Sequence, residues 1–348
     1  MSSMRRLVVL TAGAFAAGLG LLALVLAALG YDPGSAFRAL ASGSVGSWHA
    51  LSSATLVRAT PLILLGLAFT LAWRAGGLNI GMEGQFLAGA IAATWIGVHA
   101  AGLPSVVAQP LVLLGALVAG ALWIVVPVLL KRRFGVLEVI STLLLNFVAE
   151  ALVSWMVLGP LQESKRIYPQ SDLIAASAQL PHVPGGRLHA GFLIVIVLAV
   201  LGHAFLHRTA AGFRLRATGL GPLAARLSGR IKVGRVMVLA LLGSGALAGL
   251  GGGMEVSGVT YALFQNLSPG YGFTAIAVAL LGRGEPLAIV GTGLLFGALE
   301  AGAGAMQREA GIPAVAVAIV QATIIIVVLV TEAIGRRRLR VMTPVEAA

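Results

Sequence analysis

The sequence predicts an all-α, polytopic membrane protein, and three observations carry that reading. Apolar residues make up 58% of the 348-residue chain and charged residues only 10%, whereas a soluble domain carries about 25% charged residues. Apolar runs of about 20 residues, the length that crosses a bilayer as a helix, recur along the chain. The in-out alternation of a membrane barrel is absent. A mean hydropathy of +0.98 agrees.

About ten membrane segments are expected. The first, residues 7–29, follows Arg5 and Arg6. It is too long for a signal-peptide core, and Ala39-Leu40-Ala41 lies too far downstream for a cleavage site, so it reads as a retained helix. Residues 30–53 form a polar stretch whose Trp48 and His49 suit an interface. The second segment is 54–73 and the third 82–100, separated by a turn over 75–81. The fourth, 106–130, is stopped by Lys131-Arg132-Arg133, and the fifth is 136–158.

A connection rich in Pro, Gly and Ser follows over 159–188, then the sixth segment, 189–206. Residues 207–235 carry six arginines and one lysine with no carboxylate among them. The seventh segment is 236–256 and a polar connection covers 257–271. The eighth and ninth, 272–281 and 287–303, flank Arg283-Gly284-Glu285-Pro286. The tenth, 313–334, ends at Arg336-Arg337-Arg338. The eighth is too short to span alone, so a broken or re-entrant helix is expected there.

Charge orients this count. With both termini in the cytoplasm, only Arg38, Arg58, Lys165, Arg166, Arg187 and Arg308 fall outside, and the other 18 of 24 basic residues fall inside. Lys and Arg accumulate in loops that are not translocated. The net charge of +12 therefore reflects topology and anionic lipid rather than nucleic acid.

The 46 glycines concentrate in apolar segments. The pairs Gly77/Gly81, Gly245/Gly249, Gly249/Gly253 and Gly293/Gly297 are spaced for close helix approach. The run Gly76-Gly77-Leu78-Asn79-Ile80-Gly81 places three glycines and an amide where two apolar helices meet, as in the broken helices of transporters.

Carboxylates inside a membrane need a partner or water. Asp32 and Asp172 fall in loops, and Glu138 and Glu332 lie near helix ends where they can snorkel or pair with arginines. Glu300 also falls in a helix. Glu150 shares one helical face with Ser141, Thr142 and Asn146. That stripe either lines a path or serves as hydrogen-bonding glue between helices. Asn79, Glu83 and Gln85 form a second polar cluster; Glu255, Gln265 and Asn266 form a third. Amides suit recognition of a neutral polar solute. These six residues, with Asn146 and Glu150, are the candidate path.

No cysteine is present, which removes disulfides and thiolate chemistry. No phosphate-binding G-x-x-x-x-G-K-[ST] occurs, nor any nucleophile-base constellation. His203 and His207 have the i, i+4 spacing of helical metal ligands, but the sequence shows no third ligand beside them, so no metal site is expected. The chain reads as neither an enzyme nor a cofactor protein.

Three stretches resemble one family. Arg74-Ala75-Gly76-Gly77-Leu78-Asn79-Ile80-Gly81-Met82-Glu83-Gly84-Gln85 looks like the signature of ABC-importer permeases for nucleosides. Gly212-Phe213-Arg214-Leu215-Arg216-Ala217-Thr218-Gly219, continuing to Ala224, Ala225 and Gly229, is similar to that family's cytoplasmic coupling loop. Residues 274–282 with Pro286, Leu295, Phe296 and Gly297 match its last third. The broader group covers ribose, branched-chain amino acid and nucleoside permeases, and the chain is most similar to the larger nucleoside permease.

The resemblance implies a single permease domain over 1–348. It implies a short helix near Pro222–Leu227, framed by Gly219, Gly221 and Gly229, that docks in a groove of a separate cytosolic ATPase. Ala224 and Ala225 would allow close approach, and Arg214, Arg216 and Arg226 would pair with acidic groups. ATP and magnesium would sit on the ATPase. A second, different and smaller permease and an extracytoplasmic substrate-binding protein would complete the assembly. The rival readings are a permease for simple sugars or branched-chain amino acids, and a proton-driven transporter with Glu150 as the titrating group.

Overall fold

The computed structural model describes residues 20–313 continuously, with Ala16, Ile319, Ala322, Ile326 and Val330 besides. Most of the tenth expected segment, with Arg336-Arg337-Arg338 and Glu332, and the start of the first, with Arg5 and Arg6, lie outside the described residues.

The fold is all-helical. Residues 20–28 are helical, followed by α1 (Pro33–Val45) and α2 (Trp48–Arg74), whose second turn is a π-helix over Leu51–Thr55. Next come α3 (Met82–Val98), α4 (Ser105–Phe134, interrupted at Ile124) and α5 (Glu138–Leu158). Then follow α6 (Gly191–Arg208), α7 (Ala210–Leu220), α8 (Pro222–Leu227) and α9 (Val233–Thr260, its last turn a π-helix). The described chain closes with α10 (Tyr271–Leu281) and α11 (Pro286–Glu309).

Among the described residues, six of these (α2, α4, α5, α6, α9 and α11) are long and apolar enough to cross a membrane. Helix α10, the expected eighth segment, has only 11 residues, about 16 Å at 1.5 Å per residue. That is half a bilayer core.

The chain divides into two compact units, residues 1–55 with 298–348, and residues 56–297. In the first, α1 was not expected: its stretch, PGSAFRALASGSV, is poor in large apolar residues. It forms because the Asp32 carboxylate caps it, accepting from Gly34 N (3.1 Å) and Ser35 N (2.8 Å), with Pro33 at its first position.

The second unit has α9 at its centre, packed against α2, α3 and α4, with α3 also on α4 and α5 and α10 on α2. Helices α2 and α3 are apolar all round and buried, as a central helix requires. Helices α4, α5 and α6 instead expose one apolar face, including Leu114, Val118, Leu122, Phe147, Trp155 and Val197. Such a belt suits lipid, not water.

Of the expected glycine pairs, Gly245/Gly249 makes backbone contact, while Gly77, Gly253 and Gly293 lie nearest the side chains of Leu241, Ala116 and Ile63. Gly245 and Gly249 of α9 lie against the backbone of Gly120, Gly249 also against Ala116, and Gly252 against Phe86 O. A Cβ at any of them would meet main chain, so these helices touch through their backbones.

The connections form two separate groups of contacts. Residues 159–190 pair with the last turn of α9 and the loop after it: Ser171 N to Leu263 O (2.8 Å), Ile174 N to Tyr261 O (2.9 Å) and Leu180 N to Ser257 O (2.8 Å). At another place the Arg74 turn, the 282–285 turn and His207 meet.

Candidate functional site

The glycine-rich turn between α2 and α3 is held by side chains of α3, by side chains from α5 and α9, and by a main-chain N–H of α10. Asn79 Nδ2 donates to Gln85 Oε1 (2.8 Å) and to Ser244 Oγ of α9 (2.9 Å). Asn79 Oδ1 accepts from Gly81 N and Gln85 Nε2, both at 3.0 Å. Asn146 of α5 accepts from Gly84 N (2.8 Å) and donates to Ile80 O (3.0 Å). Glu83 accepts from Gly272 N at the start of α10 (2.7 Å). All four side chains are buried. A buried polar group must be paired, and here the pairing fixes the turn.

The candidate path residues therefore divide. Asn79, Gln85, Asn146 and Glu83 gather around the turn, engaged with one another and with main chain. Glu150 lies one turn beyond Asn146 on α5 and is exposed. Glu255 is buried in α9, packed with Thr60, Pro61, Leu64 and His189 in a gap that leaves no water-sized space. Gln265 is half-buried and Asn266 exposed, in the loop before α10. Glu138 pairs with Lys131 (2.6 Å) rather than with an arginine.

The basic segment folds into two short helices. Thr209 caps α7, accepting from Gly212 N (3.0 Å). Helix α8 covers Pro222–Leu227, the span expected, with proline at its first position. It ends where Ser228 Oγ donates to Ala225 O (2.7 Å) and Gly229 turns left-handed at φ +68°. Leu215 of α7 is buried with Ala75, Leu206 and Ala240, which anchors the segment to the bundle.

The two motifs read separately in the sequence touch. Gly219 of α7 packs on the Arg74 carbonyl, and its Cα lies 3.3 Å from where a Cβ on Gly76 would stand. The basic segment therefore rests directly on the turn that Asn79 organises.

The outer face of α7 and α8 is an open groove of about 670 Å³ lined by Phe213, Arg214, Leu220, Ala224 and Ile231 among others. Arg214, Pro222, Ala224 and Arg226 are exposed. Ala224 and Ala225 both line the groove, Ala224 exposed and Ala225 largely buried. Arg216 is half-buried, and its Nε has no hydrogen-bond partner among the described residues.

Sequence reasoning singled out the arginines and alanines and passed over the large apolar residues. Leu220, Leu223 and Leu227 are 89%, 70% and 77% exposed, more than solvation tolerates for isolated leucines on so small a helix pair. Their i, i+3, i+7 spacing was the available signal.

Comparison with known proteins gives a consistent result. Residues 51–329 match the family described as branched-chain amino acid transport system / permease component. The chain is 39% identical over 324 residues to the glucose ABC transporter permease protein TsgB13 of Haloferax volcanii, covering 90% of this chain and 84% of that one. It is 36% identical over 323 residues to the guanosine ABC transporter permease protein NupP of Bacillus subtilis, covering 91% of each. It is 34% identical over 320 residues to the nucleoside ABC transporter permease protein NupB of Lactococcus lactis, covering 88% and 86%. These relatives are transport components, not enzymes, and their family works with an ATPase and a substrate-binding protein. With its six apolar helices long enough to cross a membrane and this match over most of its length, the chain belongs to the family described as branched-chain amino acid transport system / permease component, as a multi-pass inner-membrane ABC-transporter permease.

Proposed function

We propose that this chain is the permease subunit of an ATP-driven importer for nucleosides or related purine-like solutes. The observation that carries the mechanism is the seating of Gly219 on the Arg74–Gly76 turn. A cytosolic ATPase grips the groove of α7 and α8, and closure on ATP shifts α7. The turn moves with it, and through Asn79, Asn146 and Glu83 the shift reaches α9, α5 and α10. Only elements with discrete packings carry such a change over distance.

In this reading the six described spans, the shorter α3 and α10 and the terminal apolar runs make about ten crossings with both ends cytoplasmic. The chain acts as one permease domain and pairs with a different, smaller permease. An extracytoplasmic protein delivers solute, and ATP and magnesium bind only to partner subunits. Residues 159–190, folded onto the loop after α9, form the outer surface. Glu150, Gln265 and Asn266, whose side chains are accessible, face the path, and the buried amides with Glu83 and Glu255 hold its wall.

Nucleosides are favoured by the names of two relatives, NupP and NupB. Glucose is the second reading, since TsgB13 is 39% identical. Uptake of labelled guanosine and of labelled glucose by vesicles carrying the chain with its genomic neighbours separates them. ATP-dependent guanosine accumulation that excess glucose does not compete supports the first; the reverse pattern overturns it.

A further inference from the structure

His203 and His207 occupy successive turns at the end of α6, with ring centroids 4.6 Å apart. The sequence offered them no third ligand. The fold supplies one: Glu285, 78 residues beyond His207, whose Oε2 lies 2.8 Å from His207 Nε2. One donor atom from each of the three residues lies within 4.8 Å of the other two.

Glu285 is held firmly. Arg283 and Gly284 are both left-handed, at φ 54° and 61°, and Glu285 N donates to Gly282 O (2.9 Å). Arg74 clamps the same turn, donating to Gly284 O (3.1 Å), to Arg283 O (3.2 Å) and to Glu285 Oε1. One carboxylate oxygen is thereby fixed while the other faces the imidazoles. The His207–Glu285 hydrogen bond accounts for two of the three groups. It leaves His203, whose Nδ1 is buried with no hydrogen-bond partner among the described residues, a costly state for a polar atom.

We propose that His203, His207 and Glu285 form a binding site for a divalent transition-metal ion of the zinc class, joining the end of α6 to the turn before α11. Two imidazoles and one carboxylate are a ligand set that such ions take, with a fourth position left for water. Donors around tetrahedral zinc stand roughly 3.3 Å apart, given metal–ligand distances of about 2.0–2.2 Å. The site lies at a helix C-terminus, whose carbonyls favour a cation, and Arg74 orients the carboxylate from behind. Because Arg74 is also the residue on which Gly219 rests, the ion would stiffen the region against which α7 moves. Binding of the ion does not depend on the importer reading; that last consequence does.

The test uses the full-length, tag-free chain purified in detergent, with Zn²⁺ in calorimetric titration and Co²⁺ as an optical probe. The expected result is one saturable site per chain and visible Co²⁺ absorption of four-coordinate intensity. Binding should be at least tenfold weaker in His203→Leu and in Glu285→Gln, and unchanged in His49→Ala. His203→Leu removes no hydrogen bond from Nδ1; should its melting temperature nevertheless collapse, His207→Gln takes its place. Equal zinc affinity in the parent and these variants, or no saturable binding by the parent, overturns the site.

Discussion

Gly219→Ala isolates the contact on which the coupling account rests. Gly219 lies inside helix α7, where alanine would ordinarily stabilise by up to ~1 kcal/mol. Here the added Cβ would meet the Arg74 carbonyl and stand 3.0 Å from Gly76 N, all main-chain atoms that cannot rotate aside. Overpacking of this kind costs about 1–3 kcal/mol, so the seated arrangement should weaken by about 1–2 kcal/mol, a factor of roughly 5–30 in population. Gly221→Ala is the matched control. Its φ of −159° is extended backbone, and its Cβ would meet only Ala224 Cβ at 3.7 Å, so a change within about 0.5 kcal/mol is expected. The assay is solute moved per ATP hydrolysed in proteoliposomes holding the permease pair, ATPase and binding protein. Gly219→Ala should lower that ratio several-fold while ATP hydrolysis persists. An unchanged ratio, or an equal loss in Gly221→Ala, refutes the argument.

Three other outcomes follow from the same contacts. Asn79→Ala strips partners from Gln85, Ser244 and Gly81 N; each orphaned group costs about 1–3 kcal/mol, so thermal unfolding should move down by several degrees, and an unmoved midpoint contradicts the network. Gly249→Leu, placed against Ala116 O and Gly120, should prevent recovery of folded protein after detergent extraction, whereas Gly291→Leu, with open space around its Cβ position, should be recovered normally. The segment over residues 159–190 should loosen in acid. Hydrogen bonds from Gln170 and then from Tyr168 N hold the Glu163 carboxyl below its ordinary value, and the Ser164 hydroxyl and amide do the same for Asp172. Groups with depressed values stabilise above their unfolded pKa, about 4, and lose that contribution as pH falls through the folded value. Amide-exchange protection at Ser164, Ile167 and Tyr168 should hold from pH 7 to 5 and drop below about pH 4; loss already at pH 6 contradicts this origin.

Much of the bundle was legible because apolar runs and their charged stops are local signals. Helix α8 falls on its expected residues, and α5 and α10 start or end within two residues of expectation. The Gly245/Gly249 pair, too, announced backbone contact before the contacting partner was known. Helix α1 escaped because its weakly apolar sequence hides a start signal, Asp32-Pro33, that hydropathy does not register. The meeting of Gly219 with Arg74, and of Glu285 with His207, joins positions 145 and 78 apart in the chain. No spacing rule reaches that far, so the site as a connected object emerges only from the fold. The division of the polar residues was equally hidden: Asn146 and Glu150 share a helical face, yet one is buried and the other exposed, because Gly84 approaches only the first.

If an ATPase drives transport through the exposed face of α7 and α8, Ala224→Glu should abolish that drive. Ala224 is exposed, so the variant should insert and melt like the parent. Parent vesicles with the ATPase should accumulate solute when given ATP, and variant vesicles should neither retain the ATPase nor accumulate solute. Equal ATP-driven uptake by both, or uptake by the parent that needs no ATPase, would contradict the claim.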